Sequence, residues 1–309
     1  MTITLLRGLA RAASCIVLGW IGAGCTTPGA WRKVPTPDGL VWRADRGLWR
    51  AEVEPSRGRL TFLGPVGGKN FLNRPPSSPS GLEFGGHRAW IGPQTEWKAF
   101  WPPPANWEMS PAQAVTLRRG QRLEVLSPQG SDEAPAIRRT YRWLRDGLLE
   151  CEMSWREKSA GGRQAINIFQ VSNDAIVEAR ARPSPAARRG FVLLPIAGRP
   201  GVQAAFPLPT QITVQRDRVL LRRGRDEEKV GFLEQTLIAR WPQGEMRLHP
   251  GHIRGVKRGE PEKGFRAQVY LGSGPWPVVE IEQLSPRLRP RFPSATVGQA
   301  VRVELIKNP

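Results

Sequence analysis

The 309-residue chain carries a formal charge of +19, and glycine and proline together make up about a fifth of it, below the roughly 25–30% at which composition alone signals disorder. Its length suits one large domain or two of ordinary size, so a disordered or low-complexity chain is excluded. Only eight of the 46 cations are lysine, and the arginines are spread over nearly every segment, whereas a dedicated nucleic-acid binder gathers its charge in a patch or tail.

Residues 1–25, MTITLLRGLARAASCIVLGWIGAGC, run from Arg7 and Arg11 through an apolar stretch, Ala12 to Ile21, to small residues before Cys25. This order predicts an export signal. About ten apolar residues are too few to span a bilayer of about 30 Å as a helix. Gly22-Ala23-Gly24-Cys25 resembles a bacterial lipoprotein cleavage site, with Gly22 where that pattern prefers a branched aliphatic. Lipidation of Cys25 is expected, on the periplasmic side of the cell envelope, with plain secretion to the periplasm as the alternative. Residues 26–37, TTPGAWRKVPTP, read as a tether, and 38–309 as a single domain.

From there strand signals follow one another almost to the C-terminus. Val41 to Ala44, Leu48 to Val53 and Arg59 to Leu63 are short β-type runs between Gly-containing turns. The clearest hairpin is IRRTYRWLRDGLLECEMSWRE, two alternating runs joined through Asp146-Gly147, a pair that accepts the positive φ angles of a tight turn. Further turns are expected near Arg119-Gly120 and Arg216-Asp217. No segment of twelve residues beyond the leader shows a convincing apolar period of 3.6. The expected fold class is therefore all-β, with large antiparallel sheets packed face to face.

Cysteine usage fits this division. Cys15 leaves with the leader and Cys25 takes the lipid, so the domain keeps only Cys151 and forms no disulfide of its own. Period-two alternation through residues 149–156 puts Cys151 on a buried strand face, as an inert thiol.

Candidate chemistry concentrates in GGHRAWIGPQTEWKAFWPPPANWE, residues 85–108, which hold four of the twelve tryptophans. Trp90, Trp97, Trp101 and Trp107 come with His87, Arg88 and Gln94. Aromatic faces that stack on sugar C–H groups, beside planar polar groups that take hydroxyls, suit a saccharide. Tryptophan is also a core residue, so some of these rings are expected to be buried. The segment His249-Pro250-Gly251-His252 reads as a solvent-facing turn; two imidazoles without a third ligand make no metal site. In PVVEIEQLSPRLRP, alternation puts Glu280 and Glu282 on one strand face, where each raises the pKa of the other. The alternative is an exposed face neutralised by Arg287 and Arg289.

The GGHR…W.GPQ…W…WPPP..WE arrangement, with INIFQVSN at 166–173, VVEIEQLSP and a final VRVELI strand, resembles an uncharacterised bacterial domain family of the galactose-mutarotase-like β-supersandwich class. The resemblance spans roughly residues 38–306. It implies a large antiparallel sandwich whose concave face binds carbohydrate in many relatives. Epimerases of that class use a carboxylate base and a histidine acid, and Glu282 lies where the base is expected. INIFQVSN resembles the strand that carries the acid but has Gln170, Val171 and Asn173 and no histidine; His87 substitutes only if the fold brings it across the same cleft.

The expected function is thus non-catalytic binding of a saccharide or glycan, with contacts from His87, Arg88, Trp90, Gln94, Trp97, Trp101, Trp107 and Glu282. The alternatives are an aldose 1-epimerase-like enzyme using Glu282 and His87, and a structural envelope lipoprotein without a ligand. No cofactor and no metal are expected. The expected partners are a carbohydrate, the membrane through the N-terminal lipid, and anionic envelope polymers drawn by the positive field; no specific nucleic acid is expected.

Overall fold

A computed structural model describes residues 27–37, 39–74, 85–97, 102–108, 110–196, 201–203, 207–274 and 277–308. The expected export signal, the expected lipidation site Cys25, and Trp101 lie outside the described residues. Helix among them is limited to one turn, Ala105–Glu108, and two 3-10 turns, Gln94–Glu96 and Glu262–Gly264. No described helix is long and apolar enough to cross a membrane.

Three antiparallel sheets share one core. A ten-stranded sheet is ordered Ile212–Gln215, Arg218–Leu221, Ile176–Arg180, Leu237–Trp241, Gly244–Arg254, Thr296–Lys307, Leu148–Arg156, Arg138–Arg145, Arg122–Leu126, Gln113–Leu117. A seven-stranded sheet is ordered Val202–Gln203, Phe191–Leu193, Glu228–Phe232, Ala267–Leu271, Val279–Leu284, Gln164–Val171, Gly86–Gly92. Alternate residues of the two sheets, among them Cys151, Val301 and Leu248 from the first and Phe169, Val269 and Ile281 from the second, meet in one buried cluster. A four-stranded meander, Arg32–Thr36, Gly39–Arg46, Trp49–Glu54 and Arg59–Pro65, adds Trp49, Val53 and Leu60 to it. A two-stranded ribbon of Val256–Arg258 and Arg287–Arg289 is tied to the seven-stranded sheet through the buried Leu288, which bridges Arg163.

The strongest local signals form as read. Arg138–Arg145 and Leu148–Arg156 pair through Asp146-Gly147, and Gly147 has φ +69, with a Cβ there only 2.7 Å from the Leu305 carbonyl oxygen. Cys151 faces the core, where burial pushes its thiol well above the ordinary range, so it is unreactive. Its polar neighbours are nearly as buried, because Arg142 and Arg254 lie over Glu150 and Glu152 as ion pairs of 2.8 and 3.0 Å.

Two readings differ from the structure. The segment His249-Pro250-Gly251-His252 is not a turn; it continues the Gly244–Arg254 strand through a bulge between Pro250 and Ile253, which lets Pro sit in the strand without a ladder donor. Within the stretch read as a tether, Arg32–Thr36 pairs with Gly39–Arg46, and Trp31 is buried in the core with its backbone N–H on the Gly120 carbonyl at 2.8 Å.

Candidate ligand-binding face

The register of the seven-stranded sheet decides which side chains meet. Residues directly opposite on neighbouring antiparallel strands project to the same face. Arg88, Ile168, Glu282, Gln268 and Gly231 therefore form one row across five strands, and Gly86, Gln170, Glu280, Tyr270 and Lys229 form the next. Both rows lie on the outer face of the sheet, away from the ten-stranded sheet. One glycine ends each row. Gly86, at φ +77, lets the strand end pass the Leu60 carbonyl oxygen where a Cβ would come within 2.2 Å, and Phe265 lies over Gly231 where a Cβ would meet its ring at 2.7 Å.

The rows are held by charge. Lys229 Nζ donates to both carboxylate oxygens of Glu282, at 2.8 and 3.0 Å. Gln170 Nε2 donates to Glu280 Oε1 at 2.6 Å, and Arg88 Nη1 lies 3.8 Å from the same oxygen. Burial, then the neighbouring Glu282 carboxylate, pushes the Glu280 carboxyl above its ordinary range, with Arg88 and Gln170 opposing. Tyr270 donates its hydroxyl to Glu227 at 2.6 Å, and burial and that carboxylate push its phenol up. The face neutralises its acids with Lys229 and Arg88, whereas Arg287, read as a neutralising partner, pairs with Glu96 at 2.6 Å.

Arg88 is shared with a second buried carboxylate. Glu108, on the Ala105–Glu108 turn, accepts from Arg88 Nε at 2.9 Å and from Trp90 Nε1 at 2.5 Å, and Arg59 Nη2 lies 3.0 Å away. Burial pushes the Glu108 carboxyl up, but Arg59, Arg88 and Arg139, with the Trp90 bond, outweigh it and leave it below its usual value. This cluster fastens the helical turn to the sheet edge.

The structure brings Arg88, Gln94 and Glu282 to the outer side and turns His87 away from it. His87 precedes Arg88 in the strand and so faces the inter-sheet core, stacked on Phe169 at 4.4 Å, with Nε2 donating to Asn167 Oδ1 at 3.1 Å and Nδ1 3.2 Å from the Tyr141 hydroxyl. It has no exposed surface, and burial, then Arg139, lowers its pKa to about 3. The ring is neutral and out of reach of a ligand beside Glu282.

The indoles pack on one another. Trp97 meets Trp90 and Trp107 edge-on at 5.6 and 5.9 Å. Trp90 and Trp107 keep 3% and 2% of their surface, and Trp107 donates to the Pro135 carbonyl. Trp97 is half-buried and donates to the Ile91 carbonyl at 2.8 Å. Proline supplies no donor in residues 102–104 and the helical turn after it is a single one, so rings packed edge to face supply the packing.

A narrow cleft opens on the outer face among Gln94, Ile166, Lys229, Glu262, Lys263, Gln268, Glu282 and Leu284. Its interior of about 10 Å³ has room for about one ordered water. The Glu262–Gly264 turn straps across it: Gln94 N–H donates to Glu262 Oε2 at 2.9 Å, and Glu262 N–H donates to Gln164 Oε1 at 2.7 Å. Lys263, at φ +61, is pushed below its ordinary range by burial, then by Lys229. Among the described residues, no group of three or more His, Cys, Asp or Glu is arranged to hold a metal.

Sequence reasoning paired Glu280 with Glu282 but missed Gln170 as a contact, and Tyr270, Lys229 and Gln268 altogether. Alternation in INIFQV signalled the face of Gln170. The distant pairings of Gln170 with Glu280 and of Lys229 with Glu282 left no local mark, whereas Tyr270 and Gln268 lie only ten and fourteen residues before the acids they oppose.

No protein-family model matches the sequence, and no curated protein does. Solved structures match over nearly the whole chain. A galactose mutarotase-like protein from Lactobacillus casei is 10% identical with a TM-score of 0.55, over 86% of this chain and 99% of its own. A galactose mutarotase-like protein from Clostridium acetobutylicum is 8% identical with a TM-score of 0.54, over 91% and 100%. The aldose epimerase homologue from C. elegans is 10% identical with a TM-score of 0.50, over 84% and 96%. The chain is an all-β protein of antiparallel sheets, as its alternation implies. Its fold is the galactose mutarotase-like supersandwich.

Proposed function

We propose that the outer face of the seven-stranded sheet binds a saccharide without converting it, in a protein exported by its N-terminal segment and held at the periplasmic side of a bacterial envelope by a lipid on Cys25. One observation carries the reading: Arg88, Gln170, Glu280, Tyr270, Glu282, Gln268 and Lys229 share one face of four strands plus the edge strand. Planar amides, carboxylates and a guanidinium at such spacing supply the donors and acceptors that sugar hydroxyls need. Arg88, Gln94 and Glu282 contribute directly, while Trp90, two residues from Arg88 on the same face, and Trp107 pack beside the site. Because the cleft is narrow, the ligand enters when the Glu262–Gly264 strap shifts. Glycan-array binding of the exported domain, lost in Glu282→Gln, tests the reading; a profile unchanged by that substitution overturns it. Incorporation of labelled fatty acid into wild type but not Cys25→Ser tests the anchor.

A second reading, aldose epimerisation, is favoured by one observation. Glu280 is held above its ordinary range beside Glu282, so a proton donor and a lysine-paired carboxylate share a face, the separation of environments that an acid and base require. In that reading Glu280 takes the part first assigned to His87, which faces the core. NMR exchange between α and β anomers across a panel of aldoses, abolished by Glu280→Gln, is its test.

A further inference from the structure

A second groove lies beyond the Gly92 end of the edge strand Gly86–Gly92, and neither Glu280 nor Glu282 lines it. One part, about 310 Å³, is lined by Trp97, Glu96, Asp132, Glu133, Lys158 and Arg163 among others. The adjoining part, about 670 Å³, is lined among others by Arg258, Arg289, Arg291 and Phe292. Both parts share Lys158 and Ser159. Each has the volume of an ordinary ligand cleft.

Charge is unevenly satisfied along this groove. At the Trp97 end Glu96 is paired with Arg287 and Asp132 with Lys158, both at 2.6 Å. Glu157, at the floor, is fully buried and used by Trp155 Nε1 at 2.7 Å, by Ser159 N–H at 2.7 Å and by Arg163. At the other end Arg258, Arg289 and Arg291 have no carboxylate partner among the described residues. Arg258 and Arg289 share a face of the Val256–Arg258 and Arg287–Arg289 ribbon, since Val256 is opposite Arg289 and Arg258 opposite Arg287. The Arg289 stem is held in place: it lies over Gly162, where a Cβ would come within 2.8 Å of its Cγ. Phe292 stands beside them 72% exposed.

We propose that this groove binds an acidic oligosaccharide, its neutral ring against Trp97 and its carboxylate or phosphate groups on Arg258, Arg289 and Arg291. Guanidinium forks take oxyanions in pairs of parallel hydrogen bonds, and aromatic rings at the two ends bracket an extended chain. The length of groove between Trp97 and Phe292 and the confinement of unpaired charge to one end favour such a chain over a flat membrane surface.

The test is calorimetry on the folded domain with tetragalacturonate and, as a size-matched neutral probe, maltotetraose. Tetragalacturonate is expected to bind, with affinity falling about tenfold or more in the triple variant Arg258→Ala, Arg289→Ala, Arg291→Ala. Arg222→Ala, Arg223→Ala, Arg225→Ala removes the same charge elsewhere and is expected to leave affinity within about twofold. Equal loss in both triples means attraction by net charge alone and overturns the proposal, as does tighter binding of phosphatidylglycerol vesicles or duplex DNA through the same three arginines, or no binding of tetragalacturonate. Glu282→Gln is expected to leave this binding intact, which separates it from the site on the outer face of the sheet.

Discussion

His87 and Arg88 are adjacent in the chain and face opposite sides of the same strand, the imidazole into the core beside Phe169 and the guanidinium onto Glu108 near Glu280. That inversion separates a residue that stabilises from one that belongs to the polar face. Acid unfolding distinguishes them. The folded pKa of His87, about 3, lies below its ordinary 6.5, so its contribution is complete above pH 6.5 and is lost as pH falls toward 3, where only the unfolded chain takes up the proton. Between those values His87 adds up to about 1.4 kcal/mol of stability per pH unit. His87→Gln is expected to flatten the acid limb of the unfolding free energy, taken from urea titrations at each pH, by about that amount; an unchanged slope contradicts a buried neutral ring.

Glu280 and Glu282 are two residues apart on one face, yet their replacement is expected to act in opposite directions. Glu280 has a raised folded pKa, so its neutral form is the comfortable one and stability is lost as pH rises through that value. Glu280→Gln is expected to raise the melting temperature at pH 8, with the gain vanishing toward pH 4. Glu282→Gln strands Lys229, which is nearly buried against it, and is expected to cost about 3 kcal/mol in chemical denaturation. Equal effects from both refute the division of roles.

Glu108 collects Arg59, Arg88 and Trp90 in a space closed to water. Glu108→Gln is expected to destabilise by about 3–5 kcal/mol, because buried guanidinium groups lose their counter-charge, and to expose Trp90, read as a red shift of tryptophan emission. A loss below about 1 kcal/mol contradicts the fastening role of the cluster.

How far the sequence showed all this depends on range. The Asp146-Gly147 hairpin and the buried face of Cys151 were legible because turn chemistry and period-two alternation are local. Glu280 and Glu282 sharing a face followed from the same alternation. The partner of Glu282, Lys229, is 53 residues away and two strands over, and the turn of His87 toward Tyr141 depends on which face of an edge strand meets the other sheet. Clustered tryptophans signalled an aromatic site, but residue type does not say whether rings pack on a ligand or on one another; Trp90 and Trp107 pack edge-on against Trp97. The bulge at Pro250 made a strand resemble a turn.

The Glu262–Gly264 strap narrows the cleft through Glu262 Oε2 and the Gln94 N–H. Glu262→Ala removes that tie while leaving the backbone bond to Gln164, so the open form gains population and apparent saccharide affinity is expected to rise by about threefold to tenfold. Weaker binding in this variant contradicts the strap as a barrier and makes Glu262 a ligand contact.

Hydrogen–deuterium exchange of the domain with and without the best-bound glycan tests the outer-face site most directly. Slower exchange in Gln164–Val171, Ala267–Leu271, Val279–Leu284 and the Glu262–Gly264 strap, abolished by Glu282→Gln, is the predicted result. Protection confined to other strands, or none with any saccharide that binds, contradicts it.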